Sequence, residues 1–184
     1  AVATADVNGD GMPDLLTANY NDDTASVLLG RGDGSFAPQQ TMSVGRRPYA
    51  LAVADINGDG VIDLLITSVI DNAVKIFLGT GDGSFQPRPT VAVGRQPLSL
   101  AVMDVNGDDI LDTVTGNAAD GTVSVLLGTG TGTFLSQRVF DVGPGPFSIA
   151  AADVDGDGRV DLISTSFNDN SVSILSGNGD GSFQ

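Results

Sequence analysis

A chain of 184 residues with 23 acidic and 8 basic side chains carries a net charge of −15, which opposes binding to nucleic-acid backbones and anionic membrane surfaces. It holds no Cys, His or Trp and every acid is Asp, which excludes disulfides, thiol and imidazole chemistry and most transition-metal sites, leaving any catalysis to Asp and a metal alone. No run approaches the roughly 18 apolar residues that span a bilayer, no charged n-region with an apolar stretch opens the chain, and a start at Ala1 rather than Met is expected where a leader or upstream segment has been removed.

The first element is an acidic loop, Asp6-Val-Asn-Gly-Asp-Gly, with a further aspartate, Asp14, at its ninth position. Asp22-Asp23 then reads as a tight turn, because such pairs tolerate positive φ. A glycine-rich turn runs from Gly30 to Phe36. Within it, Arg31-Gly32-Asp33 spells an adhesive tripeptide, but later copies carry Thr80, Thr129 or Asn178 at the arginine position, so Arg31 reads as drift.

The next unit shows the pattern in full. Tyr49 to Ala54 is a small apolar strand that enters the loop Asp55-Ile-Asn-Gly-Asp-Gly, and Val61 to Ser68 is the strand that leaves it. Asp71-Asn72 turns the chain into a third strand, Val74 to Leu78, and the turn Gly79 to Phe85 leads to a fourth, Phe85 to Val93. Pro87 and Pro89 confine that fourth strand to a sheet edge. The same order continues through the loop Asp104 to Asp112, the turn Asp120-Gly121, the loop Asp153 to Asp161, the turn Asp169-Asn170 and the final glycine turn Gly177 to Phe183.

The offset is 49 residues throughout and brings Phe36, Phe85, Phe134 and Phe183 into register, as well as Pro48, Pro97 and Pro146. Repeats of 20 to 50 residues mark solenoids, propellers or arrays. Units of about 1–44, 45–93, 94–142 and 143–184, each of four antiparallel strands with the proline-bearing one outermost, describe β-propeller blades in an all-β fold. The four phenylalanines are expected in the cores between blades. The chain is about twelve residues short of four full units. Three outcomes stay open: a segment of a longer propeller, which is favoured; association of two copies into about eight blades; or an open stack.

Asp-x-(Asn/Asp)-Gly-Asp-Gly-x-x-Asp between two strands, with Val-x-Val-Leu-Leu-Gly and Gly-x-Gly-Asp-Gly-Ser-Phe after it, resembles the FG-GAP or VCBS-type repeats of secreted bacterial proteins and integrin-like β-propellers. The resemblance covers nearly the whole chain. It implies a Ca²⁺ ion in the loop between the first two strands of each blade, an extracellular location, and roles in adhesion, glycan binding or as accessory domains of secreted enzymes.

Oxygen donors on alternate residues suit a hard cation. The EF-hand pattern fails at position 12, where Thr17, Ile66, Thr115 and Ser164 replace the bidentate Glu. The expected ligands are Asp6, Asn8, Asp10, the Met12 carbonyl and Asp14; Asp55, Asn57, Asp59, the Val61 carbonyl and Asp63; Asp104, Asn106, Asp108, the Ile110 carbonyl and Asp112; and Asp153, Asp155, Asp157, the Arg159 carbonyl and Asp161. Four Ca²⁺ ions would bring the net charge from −15 to −7. The fourth loop, with Asp155 in place of Asn, is expected to bind most tightly, and the third, with Asp109 at a bend needing positive φ, most weakly. Metal-free Asx-turns are the competing reading of all four loops.

The opposite end of the units is expected to gather Arg46, Arg47 and Arg95 with Tyr20, Tyr49, Phe147 and Phe167, where aromatic rings could stack on sugars. The sequence thus points to an extracellular, calcium-stabilised scaffold for adhesion or recognition of a glycan, matrix or protein partner, with no catalytic residues of its own. The alternative is an accessory or catalytic part of a secreted polysaccharide-active enzyme.

Overall fold

The computed structural model describes residues 1–184 and consists of strands, turns and loops. No helix is long and apolar enough to cross a membrane. Sheet 1 comprises β1 (Val2–Ala5), β2 (Asp14–Asn19), β3 (Thr24–Leu28) and β4 (Gln40–Ser43). Sheet 2 comprises β5 (Pro48–Ala54), β6 (Asp63–Ser68), β7 (Ala73–Gly79), β8 (Phe85–Pro87) and β9 (Val91–Ala92). Sheet 3 holds β10 (Pro97–Met103), β11 (Asp112–Asn117), β12 (Thr122–Leu126) and β13 (Arg138–Asp141), and sheet 4 holds β14 (Pro146–Ala152), β15 (Asp161–Ser166) and β16 (Ser171–Leu175).

Each sheet is an antiparallel meander in sequence order. The second strands begin at the ninth-position aspartate, two residues later than the apolar run at Val61 suggests, because that aspartate ends the loop. The expected fourth strand of sheet 2 is split: β8 and β9 both pair with β7, the Arg88 amide still donates to the Ile76 carbonyl, and Pro89 and Thr90 leave the ladder. Prolines without an amide to donate sit at the edge, as their chemistry requires. In sheet 4 the fourth strand is reduced to a bridge between Gly177 and Phe183 and two mutual backbone bonds of Ser176 and Gln184.

The cores lie between sheets. Val7, Leu16, Ala25 and Val27 of sheet 1 pack on Leu64, Ile66 and Phe77 of sheet 2. Ile56, Leu65, Val74 and Ile76 of sheet 2 meet Leu126 of sheet 3, and Val105, Val114, Val123 and Val125 of sheet 3 meet Leu162, Leu175 and Phe183 of sheet 4. Each fully buried Leu, Ile or Val contributes about 1.5–3 kcal/mol, so a single sheet without its neighbour loses most of what holds it. Strands buried on both faces, such as β6 and β11, account for the near-continuous apolar or small-residue runs of the sequence. Phe85, Phe134 and Phe183 fill the three junctions as expected. Phe36 does not join a core, because no sheet lies on that side of sheet 1.

The first strands β5, β10 and β14 lie side by side, with β1 next to β5. Each of β5, β10 and β14 slips register just after its leading proline, between Pro48 and Leu51, Pro97 and Ser99, and Pro146 and Ser148. Such bulges re-aim a side chain that a regular ladder would hold. The residues in the slips are Tyr49 with Ala50, Leu98 and Phe147, all at the end of the molecule opposite the acidic loops.

Candidate functional site

The acidic loops are built almost identically. In the first, the Asp6 carboxylate accepts the amides of Gly9 (2.7 Å), Asp10 (3.2 Å) and Gly11 (2.8 Å), and Asp10 accepts the amide of Met12 (2.8 Å). Asp55, Asp104 and Asp153 hold their loops in the same way. These amide bonds lower the carboxyl pKa of Asp6 and Asp153, chiefly through Gly11 and Gly158. Tight turning needs positive φ at the glycines, and Asp109, standing where the other loops have glycine, adopts φ 64°.

The ninth-position aspartates have a role that the spacing alone did not reveal. All four are fully buried. Asp14 accepts the Val7 amide (2.9 Å) with one oxygen and the Gly30 amide (2.7 Å) with the other. Asp63 does so with Ile56 and Gly79, Asp112 with Val105 and Gly128, and Asp161 with Val154 and Gly177. Each carboxylate therefore ties the acidic loop to the glycine turn at the same end of its sheet. Glycine is required at the tie: a Cβ on Gly128 would lie 2.2 Å from the Leu111 carbonyl oxygen. Burial pushes the pKa of Asp63 and Asp112 up, more than their amide bonds pull it down, and the carboxylates of Asp59 and Asp55, or Asp108 and Asp104, add to the rise.

The seventh-position side chains cover the glycine turns. Met12 lies against Gly32, Val61 and Ile110 against Gly79 and Gly128, and Arg159 against Gly179. The third-position residue separates the loops chemically. Asn8, Asn57 and Asn106 donate a side-chain amide to Asp10, Asp59 and Asp108 at 2.9–3.0 Å. Asp155 has no such proton to give, and Asp157 pairs with Arg159 instead. In this loop Asp153, Asp155 and Asp161 bring carboxylate oxygens within 4.8 Å of one another. Three hard oxygen donors at that separation, one from a buried carboxylate, fit a hard divalent cation by their chemistry.

At the opposite end the structure brings all four expected aromatics into one chain of ring contacts. Tyr20 meets Tyr49 edge-on with ring centroids 6.1 Å apart, Tyr49 meets Phe147 at 6.4 Å, and Phe147 meets Phe167 at 6.1 Å. Arg47 lies over the Tyr20 ring at 5.6 Å. Tyr20, Tyr49 and Phe147 line a cleft of about 590 Å³ with Pro48, Ala50, Leu98, Ser99, Ser148 and Ala1. Leu98 escaped the sequence reading because it is not aromatic; its place in the 49-residue register, between Tyr49 and Phe147, is the signal that could have found it.

Arg46 and Arg95 do not join this cluster. Their Nε atoms pair with Asp71 (2.7 Å) and Asp120 (2.6 Å), and the same carboxylates accept the arginines' own backbone amides. Asp71 also accepts from Ser68, and although its partial burial works the other way, these partners hold its carboxyl well below the usual range. Asp23 and Asn72, at φ 58° and 51°, accept the amides of Arg47 and Gln96 and so pin each connection to the turn of the preceding sheet.

Comparison with known proteins agrees with this architecture. The model of the FG-GAP-like repeat matches residues 6–66, 62–115 and 104–164. Among solved structures, BBS1N in complex with ARL6DN, soaked with lead, superposes with a TM-score of 0.68 at 17% identity over 100% of this chain and 54% of that one. A functionally unknown protein from Desulfotomaculum acetoxidans superposes at 0.53 with 14% identity, over 97% of this chain and 66% of that one. The chain thus spans about half the length of the BBS1N chain it matches. No curated protein matches the sequence at a significant level. With the repeat model covering most of the sequence in three consecutive copies, the chain belongs to the FG-GAP-like repeat family.

Proposed function

We propose that this chain is a calcium-stabilised scaffold of the extracellular space, built from β-propeller-type blades, that presents a recognition face to a glycan or protein partner and performs no catalysis itself. The observation that carries the calcium reading is the convergence of Asp153, Asp155 and Asp161 in a loop that recurs, with the same backbone, three more times. Asp6, Asn8, Asp10 and Asp14 would hold the ion in the first loop, and their equivalents in the others, with the Met12, Val61, Ile110 and Arg159 carbonyls. Bound calcium would neutralise carboxylates that otherwise face each other, including the buried Asp63 and Asp112 whose protonation burial favours. That role is structural, and a Kd of about 10⁻⁴ to 10⁻³ M would serve where calcium is abundant.

The aromatic cleft supports the recognition reading. Ring faces of Tyr20, Tyr49 and Phe147 around an open volume can stack on a sugar, and the bulges that aim Tyr49 and Phe147 hold them on strand ends and not on mobile loops. BBS1N was itself seen in complex with ARL6DN, so a protein partner is compatible with the fold.

Calorimetric titration with Ca²⁺ and thermal unfolding in calcium and in excess chelator test the proposal together. Calcium at 100 times Kd is expected to add about 2.7 kcal/mol per occupied site. Loss of the calorimetric signal from the fourth loop in Asp155→Ala, with the others retained, is the expected site assignment. Identical melting in calcium and chelator would sink the calcium reading.

A further inference from the structure

Four asparagines of the chain precede glycine: Asn8, Asn57, Asn106 and Asn178. Such a step loses its side-chain amide readily, because glycine has no Cβ to shield its backbone nitrogen. The structure places the four in two different surroundings. In the first three acidic loops the glycine amide is engaged: Gly9, Gly58 and Gly107 donate to the Asp6, Asp55 and Asp104 carboxylates at 2.7, 2.8 and 2.7 Å. Both ends of each asparagine side chain are held as well. Oδ1 accepts the amide of Asp10, Asp59 or Asp108 at 3.0–3.1 Å, and Nδ2 donates to the carboxylate of the same residue at 2.9–3.0 Å. Asn178 lies instead in the glycine turn of sheet 4. There the Gly179 amide donates to no protein group, and the Asn178 side chain keeps one bond, from Nδ2 to Ser182 Oγ at 3.0 Å. Asn178 is exposed, and so is Thr80, which holds the same place in sheet 2 with a sheet packed on either side, so the exposure belongs to the turn.

We propose that Asn178 is the site at which this chain deamidates spontaneously, and that the first-position aspartates protect Asn8, Asn57 and Asn106 from the same reaction. The Gly179 nitrogen attacks Cγ of Asn178 and gives its proton to solvent. The new N–Cγ bond closes a cyclic imide as the Cγ–Nδ2 bond breaks and ammonia leaves. Water then opens the imide at one carbonyl or the other, giving aspartate or isoaspartate and one added negative charge, with no oxidant or cofactor consumed. In the loops the same attack must first free the glycine amide from a charge-assisted bond and release an asparagine side chain bound at both of its polar atoms. The neighbouring carboxylate also opposes the negative charge that the attacking nitrogen gains. At Asn178 one neutral bond is all that has to break. The product loses the donor to Ser182, adds charge beside Asp180 and, as isoaspartate, lengthens a turn that the Asn178 amide closes on the Ser182 carbonyl at 2.9 Å. The loops meanwhile keep the amides that their asparagines give to Asp10, Asp59 and Asp108. The proposal rests on hydrogen bonds within the chain and is independent of calcium and of the aromatic cleft.

Incubation of the folded chain in mildly alkaline buffer, with calcium and again with chelator, followed by tandem mass spectrometry of tryptic peptides, reads the rate at each asparagine. Asn178 is expected to react at least about 10-fold faster than Asn8, Asn57 and Asn106, the factor that one charge-assisted hydrogen bond is worth. In concentrated urea the four rates should come together. Asp55→Ala should speed the reaction at Asn57 by at least about 10-fold and leave Asn8 and Asn106 of the same chain unchanged, a contrast that a general loss of stability would not produce. Thr80→Asn, which puts asparagine before Gly81 in a turn packed on both sides, should react as fast as Asn178. Asn178 no faster than the loop asparagines, or a difference that persists in urea, would overturn the proposal. An ordering present in calcium and lost in chelator would assign the protection to the ion and overturn it too. Because the readout is a rate at each asparagine and not ion binding, failure here is distinct from failure of the calcium reading.

Discussion

The two ends of the molecule are made from the same repeat and obey different rules. At the acidic-loop end every copy keeps the same bonds: the first aspartate folds the loop, and the buried ninth ties it to the glycine turn. At the opposite end the equivalents of Tyr20 are Val69, Ala118 and Phe167, and Tyr49 is matched by Leu98 and Phe147. The end whose loops are closed by backbone amides on the first and ninth aspartates holds the fold, whereas the residues of the opposite end vary from copy to copy.

The largest effect expected from breaking this contrast is at the acidic end. Asp112→Ala removes a fully buried carboxylate and leaves the Val105 and Gly128 amides without acceptors. At about 1–3 kcal/mol for each orphaned amide, a loss of about 4 kcal/mol is expected in urea unfolding. Gly128→Ala forces a Cβ onto the Leu111 carbonyl and should cost about 2–3 kcal/mol in the same assay.

At the aromatic end the expected effects on stability are smaller. Tyr49→Ala removes two edge-on ring contacts on a partly exposed surface, worth about 1–2 kcal/mol, yet it should abolish any glycan-array or partner signal that the intact chain gives. Arg46→Ala should cost less than about 1 kcal/mol, because 64% of that side chain is exposed.

Acid separates the two ends further. Asp71 has a folded pKa below its unfolded value, so its contribution is present above about pH 4 and is lost as the pH falls toward the folded value; the gap between the parent chain and Arg46→Ala should close there. Metal-free Asp63 and Asp112 behave in the opposite sense. Their folded pKa values are raised, so the stability linked to them is full below about pH 4 and declines as the pH rises through the folded values. In chelator, Asp63→Asn should lose part of that dependence, as read from urea midpoints across pH 4 to 7.

Much of this was legible because the repeat states it four times. Turn chemistry is local, so the positive φ of Asp23, Asn72, Gly121 and Asn170 followed from residue type, as did that of Asp109 in a glycine's place. Prolines 87 and 89 announced an edge strand, and the edge is where the ladder breaks. The loop positions were legible as a set of oxygen donors, but the second task of the ninth aspartate, tying the loop to the glycine turn, was not. Its amide partners lie 7 residues before it and 16 after it, and only the packed sheet brings them together.

The arginines show the same division. Arg46 and Arg95 could be placed at one end of the units, but their capture by Asp71 and Asp120, 25 residues on, depended on where the β6–β7 and β11–β12 turns come to rest. Phe36 could be matched to Phe85, Phe134 and Phe183, but whether it is buried depends on a neighbouring sheet and not on its own repeat.

By itself, then, the sequence determined the period, the strand order within each unit, the turns and the acidic loops, since all of these depend on side-chain alternation and backbone preferences over a few residues. Only the tertiary structure decided which carboxylates are buried and which aromatics share a cleft. Those outcomes depend on contacts between sheets 49 residues apart, and burial is a property of what lies across the junction.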